Sequence, residues 1–426
     1  MALNTSTDYR KQVMYSVYVR NHTTEGTFQA LRRDLERIRN LGVDIIWLMP
    51  IHPIGTKARK GTLGSPYAIS DYRAVNPEYG TMADFVALVA DIHNLGMKCI
   101  IDVVYNHTSP DSWLVEHHPE WFYHKPDGSF GNHVGDWSDI VDLDYAHKDL
   151  WEYQIETLKQ WAAIVDGFRC DVAPLLPIEF WEKARQAVEQ VRPDCLWLSE
   201  SVEPGFIDYL HGQGLIAHND AEMYRVFDVT YDYDIWGTFR GYLTGERTLR
   251  DYAEAVNRQE ERYPGNYVKL RYLENHDNDR AAQIIPDRRK RLNWTAFQYF
   301  QKGMALLYGG QEVGDPHRPD LFDKDTVRWD TGLDDSDILR RLAEIKKTHI
   351  PADSQYQVKA LPDDVLQATH ESNQGRLTGI FFVEGLTAQT DLPDGTYHDL
   401  LYNRDITIEN GQLNTNGQPV IFKTLK

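Results

Sequence analysis

The sequence predicts an α/β fold, a closed (β/α)8 barrel of the TIM type with a short inserted domain and a C-terminal antiparallel β domain. Over the first 350 residues, short apolar runs alternate with amphipathic segments of helical period, as expected for parallel strands joined by helices. The connection after the third run is far longer than the others. Beyond residue 351, short strand-like runs lie between Gly, Asn and Asp turns.

Eight apolar runs are the predicted barrel strands: Met14–Val19, Asp44–Met49, Lys98–Val104, Gly167–Val172, Cys195–Ser199, Arg225–Val229, Leu270–Glu274 and Met304–Tyr308. The amphipathic segments between them are the predicted helices: Phe28–Asn40, Asp84–Leu95, Leu150–Ala162, Glu179–Val191, Leu249–Gln259, Arg289–Gln301 and Ile338–Lys347. An open doubly wound sheet is the alternative, but no Gly-rich nucleotide-binding loop follows the first strand. Eight strands with intervening helices fit a closed barrel better.

Departures from this alternation set the predicted domain bounds. A long segment rich in His, Pro, Gly and Trp follows the third strand, and loops of such length are usually functional. We therefore predict a barrel of residues 1–105 and 145–351, an inserted domain of residues 106–144 and a C-terminal β domain of residues 352–426. The strands predicted in the last domain are Val365–Thr369, Arg376–Val383, Tyr397–Asp399 and Pro419–Lys423.

Composition excludes some classes of partner. The formal charge of −19 argues against a nucleic acid, whose phosphates would be repelled. No apolar run is long enough to predict a membrane span, and residues 1–10 lack the apolar core of a secretory signal. The three cysteines, Cys99, Cys170 and Cys195, fall in predicted strands, which is typical of reduced, packed thiols. We therefore expect a cytoplasmic protein.

Carboxylates stand near the C-terminal ends of three predicted strands, where barrel enzymes place their active sites. Asp171 ends the fourth strand, Glu200 follows the fifth and Asp277 closes the seventh. Because neighbouring strands lie about 4.8 Å apart, Asp171 and Glu200 are expected near the roughly 5–5.5 Å separation of a retaining glycosidase. The spacing predicts a double displacement, in which Asp171 attacks the anomeric carbon and Glu200 protonates the leaving oxygen.

Basic and polar side chains accompany these carboxylates. Arg169 shares a strand face with Asp171 and is expected to keep Asp171 ionised, while neighbouring carboxylates raise the pKa of Glu200. A purely structural ion pair is the alternative, but charges at the end of an apolar strand are costly to desolvate. Asp277 is expected to hold sugar hydroxyls. His107, where the third strand enters the insertion, can donate to a hydroxyl or brace the insertion.

These motifs, in this order, resemble the α-amylase family of glycoside hydrolases. The match runs through Asp102–Thr108, Gly167–Asp171, Leu196–Glu200 and Leu273–Asp277, with support from Ser65–Tyr67 and Tyr308–Glu312. The resemblance implies the same barrel, insertion and C-terminal domain. It further implies Asp171 as nucleophile, Glu200 as acid/base and Asp277 as transition-state stabiliser. It also implies substrate-binding roles for four residues: Tyr67, His107, Arg169 and His276.

Two departures from that family concern metal binding. Many α-amylases carry a Lys-His pair three and four positions after the nucleophile, where this chain has Pro174 and Leu175. The insertion is also short. Asn106 with Asp142 could begin a calcium site, but the missing histidine argues against one. We therefore predict no required cofactor and assign no metal ligand.

The predicted function is hydrolysis, with retention, of α-glucosidic bonds, expected to be α-1,4 bonds, in maltooligosaccharides or α-glucans. A transglycosylase or a disaccharide isomerase or phosphorylase of the same family is the alternative, because one glycosyl-enzyme intermediate serves all of them. A catalytically inactive binding subunit is a third hypothesis, against which the presence of all three carboxylates counts. The expected partner is an oligosaccharide or α-glucan, and the sequence indicates no oligomeric state.

Overall fold

The computed structural model describes residues 4–373 and 375–424. Eight strands form the barrel: β1 (Val13–Val17), β2 (Ile45–Leu48), β3 (Lys98–Val103), β4 (Gly167–Cys170), β5 (Leu196–Ser199), β6 (Val229–Tyr231), β7 (Lys269–Arg271) and β8 (Met304–Tyr308). They close in the order β1-β8-β7-β6-β5-β4-β3-β2, and every neighbouring pair is parallel. The predicted fold class is confirmed.

β4 and β5 approach each other closely at their start. A Cβ added at Gly167 would lie 2.4 Å from the carbonyl oxygen of Leu196, so only glycine allows this approach. In the same register Arg169 lies beside Asp102 of β3 and Leu198 of β5. The pairing therefore sets the ends of β3, β4 and β5 side by side.

Helices surround the barrel at Val19–His22, Phe28–Arg32, Leu35–Asn40, Met82–Asn94, Lys148–Ala162, Ile178–Val188, Pro204–Gly212, Asp220–Met223, Tyr233–Thr244, Leu249–Arg262, Ala281–Ile284, Arg288–Phe300 and Ser336–Thr348. Capping boxes at Thr81 and Thr248 start two of them. The predicted helix Phe28–Asn40 is two helices, because Asp34 interrupts it and binds His22 and Arg37 through its carboxylate. Within residues 4–373 and 375–424, no helix is both long and apolar enough to cross a membrane.

The sixth strand lies later in the chain than predicted. The predicted strand Arg225–Val229 ends where β6 begins. A capping box at Asn219 starts the helix Asp220–Met223, and Phe227 still donates its amide to the carbonyl of Met223. The apolar residues before Val229 therefore form a helical turn and not a strand.

The seventh strand lies earlier in the chain than predicted. The prediction was wrong because two residues of this strand are buried cations. Lys269 and Arg271 are fully buried. The Lys269 ammonium binds Asp220 and lies 3.0 Å from Asp234, and the Arg271 guanidinium lies 2.9 Å from Asp232. A strand with this sequence lacks the apolar pattern by which strands are predicted.

The buried Lys269 gives a stability prediction. The Lys269→Met variant leaves two buried carboxylates, Asp220 and Asp234, without their cation, so we expect a loss of about 3–5 kcal/mol in the free energy of unfolding. The matched control is Lys359→Met, which removes an exposed pair with Asp391 and is expected to lose under about 1 kcal/mol. Urea denaturation followed by fluorescence measures both. Equal losses in the two variants would contradict this assignment.

Between β3 and the helix Lys148–Ala162 the chain forms the inserted segment. It contains the helix Trp113–His117, a turn of 3-10 helix at Pro119–Trp121 and a short antiparallel pair, His107–Thr108 with Val141–Asp142. The segment packs onto the barrel core through Leu114, Phe122 and Leu143. Its predicted limits, residues 106–144, stay a prediction, as do the other domain bounds.

The C-terminal part forms two four-stranded antiparallel sheets. The first contains Gln355–Leu361, Val365–Ser372, Gly375–Phe381 and Val420–Thr424, and the second contains Thr387–Gln389, Gly395–Asp399, Arg404–Glu409 and Gln412–Asn414. Sequence analysis missed four of these strands, because strands such as Gln355–Leu361 and Arg404–Glu409 bury few apolar residues between exposed polar ones. The predicted chain limits at residues 1 and 426 lie outside the described residues.

Candidate active site

A cavity of about 590 Å³ lies at the C-terminal ends of the barrel strands, a size typical of ligand sites. Its lining includes six of the seven predicted site residues: Tyr67, His107, Asp171, Glu200, His276 and Asp277. The seventh, Arg169, is fully buried beneath them. The structure thus brings all the predicted site residues to one place.

Arg169 joins three carboxylates at the floor of the cavity. Its Nη1 lies 2.9 Å from Oδ1 of Asp102 and 2.7 Å from Oδ1 of Asp171. Its Nη2 lies 2.7 Å from Oε1 of Glu200. Because these contacts share one planar guanidinium, Asp171 and Glu200 lie next to each other.

The backbone after Asp171 also contacts Glu200. Val172 has a φ of 36°, in the left-handed region that β-branched residues rarely adopt. This turn lets the Val172 amide donate to Oε2 of Glu200 at 2.8 Å. Both oxygens of Glu200 are therefore held, one by Arg169 and one by Val172.

Burial dominates the electrostatics of the pair. It raises the pKa of Glu200 well above its usual range, and the charges of Asp171 and Asp277 act in the same direction, against Arg169 and the Val172 amide. Burial also raises the pKa of Asp171 to about 7, although Arg169 opposes the shift. As predicted from the sequence, Arg169 lowers the pKa of Asp171, but burial raises that pKa by more. Since the carboxylates outnumber the arginine, their mutual repulsion opposes the ionisation of all of them at once.

Tyr67 and His276 form one edge of the cavity. Their rings lie 5.4 Å apart at an interplanar angle of 13°, and the Tyr67 hydroxyl lies 2.7 Å from Nε2 of His276 and 3.1 Å from Oδ2 of Asp102. Burial lowers the pKa of His276 to about 4, so its imidazole is neutral near pH 7. A neutral imidazole can donate a hydrogen bond without adding charge.

Asp277 is the most exposed of the three predicted catalytic carboxylates. Its side chain is 44% exposed, and Oδ2 lies 3.2 Å from Nε2 of His276. The side chains of Asp171 and Glu200, by contrast, are 10% and 8% exposed. Asp277 therefore offers a ligand the most accessible oxygens of the three carboxylates.

His107 lies where the inserted segment leaves the barrel. In the short antiparallel pair, His107 lies opposite Asp142. Its Nδ1 lies 3.2 Å from the side-chain amide nitrogen of Asn106. Its backbone carbonyl accepts a hydrogen bond from the Tyr72 hydroxyl at 2.7 Å. The ring lies 5.7 Å from that of Trp137. Burial lowers the pKa of His107, so a second neutral imidazole faces the cavity.

Sequence analysis missed several aromatic residues of the site. Trp47 and Tyr231 pack on the guanidinium of Arg169, with ring centroids 5.1 and 5.6 Å from it. Tyr233 and Trp236 line the cavity and follow β6, the strand that was placed too early. A correct sixth strand would have placed Tyr233 just beyond its C-terminal end and Trp236 in the helix that follows. Trp47 faces inward from an apolar strand, where core and site residues have the same pattern.

The two residues that could begin a calcium site, Asn106 and Asp142, both contact histidines. Oδ2 of Asp142 lies 2.7 Å from Nδ1 of His133 and accepts a hydrogen bond from the backbone amide of His133 at the same distance. The side-chain amide nitrogen of Asn106 contacts Nδ1 of His107. In the part of the chain that the structure describes, no three His, Cys, Asp or Glu side chains are grouped to hold a metal ion.

Glycosidases act through a pair of carboxyl groups, and barrel enzymes place such groups at the C-terminal ends of the strands, as this chain does. The family model of the alpha amylase catalytic domain matches residues 12–120 and 110–355, and that of the bacterial alpha amylase C-terminal domain matches residues 357–422. The chain therefore belongs to the α-amylase family, and it is an enzyme of the α-amylase type.

Solved structures agree along the whole chain. An alpha-amylase from Lactobacillus plantarum is 46% identical with a TM-score of 0.96, and the match covers 99% of this chain and 100% of that one. The noncanonic maltogenic alpha-amylase AmyB from Thermotoga neapolitana is 31% identical with a TM-score of 0.85, covering 98% and 100%.

Curated relatives include both hydrolases and transferases. Alpha-amylase 2 of Dictyoglomus thermophilum is 24% identical over 92% of this chain and 69% of that protein. An alpha-1,4-glucan:maltose-1-phosphate maltosyltransferase of Rhodospirillum rubrum is 32% identical over 59% of this chain. The match spans 36% of the length of that maltosyltransferase.

Proposed function

We propose that this enzyme hydrolyses α-glucosidic bonds, α-1,4 bonds foremost, in maltooligosaccharides or α-glucans, with retention of configuration. The observation that carries the proposal is the contact of Asp171 and Glu200 with adjacent nitrogens of Arg169, each at 2.7 Å. One guanidinium that contacts both carboxyl groups keeps them close together. This closeness fits the roughly 5–5.5 Å separation of the two carboxyl groups in retaining glycosidases better than the roughly 6.5–9.5 Å in inverting ones. The family supports the α-glucan substrate class.

In the first step, Asp171 attacks the anomeric carbon while Glu200 gives its proton to the glycosidic oxygen, which leaves with the released sugar chain. The bond formed is a glycosyl ester on Asp171. In the second step, Glu200 takes a proton from water, and the water oxygen displaces Asp171 from the anomeric carbon. The high pKa of Glu200 suits both its acid and its base role.

The remaining groups bind the sugar whose bond is broken. Asp277, with its exposed oxygens, accepts hydrogen bonds from hydroxyls, and these bonds tighten as the ring flattens in the transition state. The neutral imidazoles of His107 and His276 donate to other hydroxyls. Tyr67 presents its aromatic face to the apolar face of the ring.

Product analysis tests the proposal. The enzyme is incubated separately with maltose, maltoheptaose, starch, pullulan, sucrose and trehalose, and the products are separated by chromatography. We expect shorter maltooligosaccharides from maltoheptaose and starch. Rearranged disaccharides from maltose, sucrose or trehalose would show that the enzyme is an isomerase and not a hydrolase. The absence of any product would favour an inactive binding subunit.

Transglycosylation is a second candidate because an aromatic surface continues beyond Glu200. Phe206 lines the cavity, and its ring lies nearly parallel to that of Tyr209, 6.2 Å away. Tyr209 is 56% exposed. Such rings can hold an acceptor sugar where water would otherwise attack. Incubation of maltotriose with the enzyme tests this, since products longer than maltotriose that decrease in Phe206→Ala would show transfer.

We also propose that the reaction requires no metal or other cofactor. His133 already binds Oδ2 of Asp142, the carboxylate that could have begun a calcium site. Activity on maltoheptaose is expected to stay within about twofold after treatment with EDTA and gel filtration, and the thermal midpoint to stay unchanged. If a bound metal ion stabilised the folded protein, its removal would lower that midpoint. A large loss that added calcium restores would contradict this proposal.

A cytoplasmic location is proposed as well. Cys99, Cys170 and Cys195 are free and buried, which supports a reducing compartment. Fractionation of the native host followed by immunoblotting tests the location. Recovery of the enzyme outside the cytoplasm would contradict it.

A further inference from the structure

Three loops join each other along one side of the cavity, and we call them together the wall. They are residues 57–64 after β2, residues 133–140 of the inserted segment and residues 320–323 after β8. Lys60, Trp137, Asp139 and Phe322 of these loops line the cavity.

Lys60 connects the three loops. Its ammonium lies 3.1 Å from Oδ1 of Asp139 and donates to the carbonyl of Asp136 at 3.0 Å. It also lies over the ring of Phe322, 5.9 Å from the centroid. The Asp139 side chain is 7% exposed, so its charge is shielded from water and Lys60 is its cation. One side chain thus ties the β2 loop to both other loops.

Backbone contacts make the same connection independently. The amides of Leu63 and Gly64 donate to the carbonyl of Phe322 at 3.0 and 2.9 Å. Arg20, which is 2% exposed, donates to the carbonyl of Gly64 at 2.9 Å and to that of Leu321 at 3.3 Å. A buried arginine shared by two loops holds them in one arrangement. The β2 loop is therefore a fixed part of the cavity and not a mobile lip.

The wall lies on the side of the barrel away from Glu200. Glu200 follows β5, and in the closed order of strands β1 lies opposite β5, flanked by β2 and β8. The group that protonates the glycosidic oxygen faces the leaving sugar. The sugars that stay with the attacked anomeric carbon therefore extend away from Glu200, towards the wall.

We propose that the wall closes the cavity towards the non-reducing end of the substrate, so that the enzyme removes one short product of fixed length from that end. The proposal rests on the proposed function. The opposite side, beyond Glu200, carries the exposed Tyr209. A chain can therefore leave the site on the Glu200 side and is stopped on the other.

Maltoheptaose labelled at its reducing end tests the proposal, since the label reports which bond is cut first. The wild-type enzyme is expected to give one labelled product at early times. Lys60→Ala and Asp139→Asn, which open the wall, are expected to increase the share of other labelled products roughly tenfold, the effect of losing one charge-assisted contact. Lys57→Ala, in the same loop, is the control and is expected to leave the pattern unchanged.

Two results would overturn the proposal. One is an even spread of labelled products from the wild-type enzyme at the earliest times. The other is a pattern in Lys60→Ala that equals the wild-type pattern while its thermal midpoint shows that it folds. A wild-type enzyme that cuts no maltoheptaose would instead contradict the proposed function, so the two failures are distinguishable.

Discussion

The Asp171→Asn variant is expected to lose at least about 10⁴ in kcat on an aryl α-glucoside, the scale of loss when a catalytic nucleophile is removed. The amide keeps the size of the side chain and an oxygen that can accept from Arg169, but it cannot form the glycosyl ester. Binding of a maltooligosaccharide is expected to persist, because the hydroxyl-binding groups are unchanged. Steady-state kinetics and calorimetric titration with maltoheptaose measure the two properties.

Asp208→Asn is the matched control for that variant. Asp208 is an exposed residue of the helix Pro204–Gly212, so its replacement is expected to leave kcat unchanged. Full activity in Asp171→Asn would show that another group attacks the anomeric carbon. Loss of both activity and folding would be detected by the thermal midpoint, which is expected to stay close to that of the wild type.

The Glu200→Gln variant is expected to discriminate between leaving groups. Maltooligosaccharides need a proton on the departing oxygen and should lose about 10²–10⁴ in kcat/KM, the usual contribution of a general acid. A 2,4-dinitrophenyl α-glucoside, whose leaving group needs no proton, should lose far less. Parallel kinetics on the two substrates measure the difference.

A pH profile gives the control for the same variant. Because Glu200 must be protonated to act as the acid, kcat/KM of the wild type falls as the pH rises through its pKa, which burial places above the usual range. Glu200→Gln is expected to lack this alkaline limb. Equal losses on both substrates, with the limb retained, would mean that Glu200 is not the proton donor.

Asp171 and Glu200 could be placed from the sequence because each comes directly after a buried strand, whereas Asp277 lies farther beyond β7. Strand alternation is a local property, so the shared face of Arg169 and Asp171 was visible as well. The three partners of Arg169 come from different strands, and the pairing of β3 and β5 with β4 brings Asp102 and Glu200 to it. The pKa of Asp171 also depends on burial depth, which the sequence does not contain.

Misplaced elements have a common physical cause. In β7, Lys269 and Arg271 are buried by pairing with carboxylates from distant segments, so the strand looks polar. Before β6, a helical turn buries Val226 and Phe227, so a non-strand segment looks apolar. The wall depends on Lys60 and Asp139, which are far apart in the chain. Long-range pairing of charges thus limits what apolar patterns predict.

The anomeric configuration of the first product tests the central claim most directly. Proton NMR of maltoheptaose during the first minutes of reaction distinguishes α from β reducing ends before they interconvert. If Asp171 and Glu200 act as a nucleophile and an acid/base held on one arginine, the new reducing end appears as the α-anomer. Initial release of the β-anomer would require water to attack directly and would contradict this account.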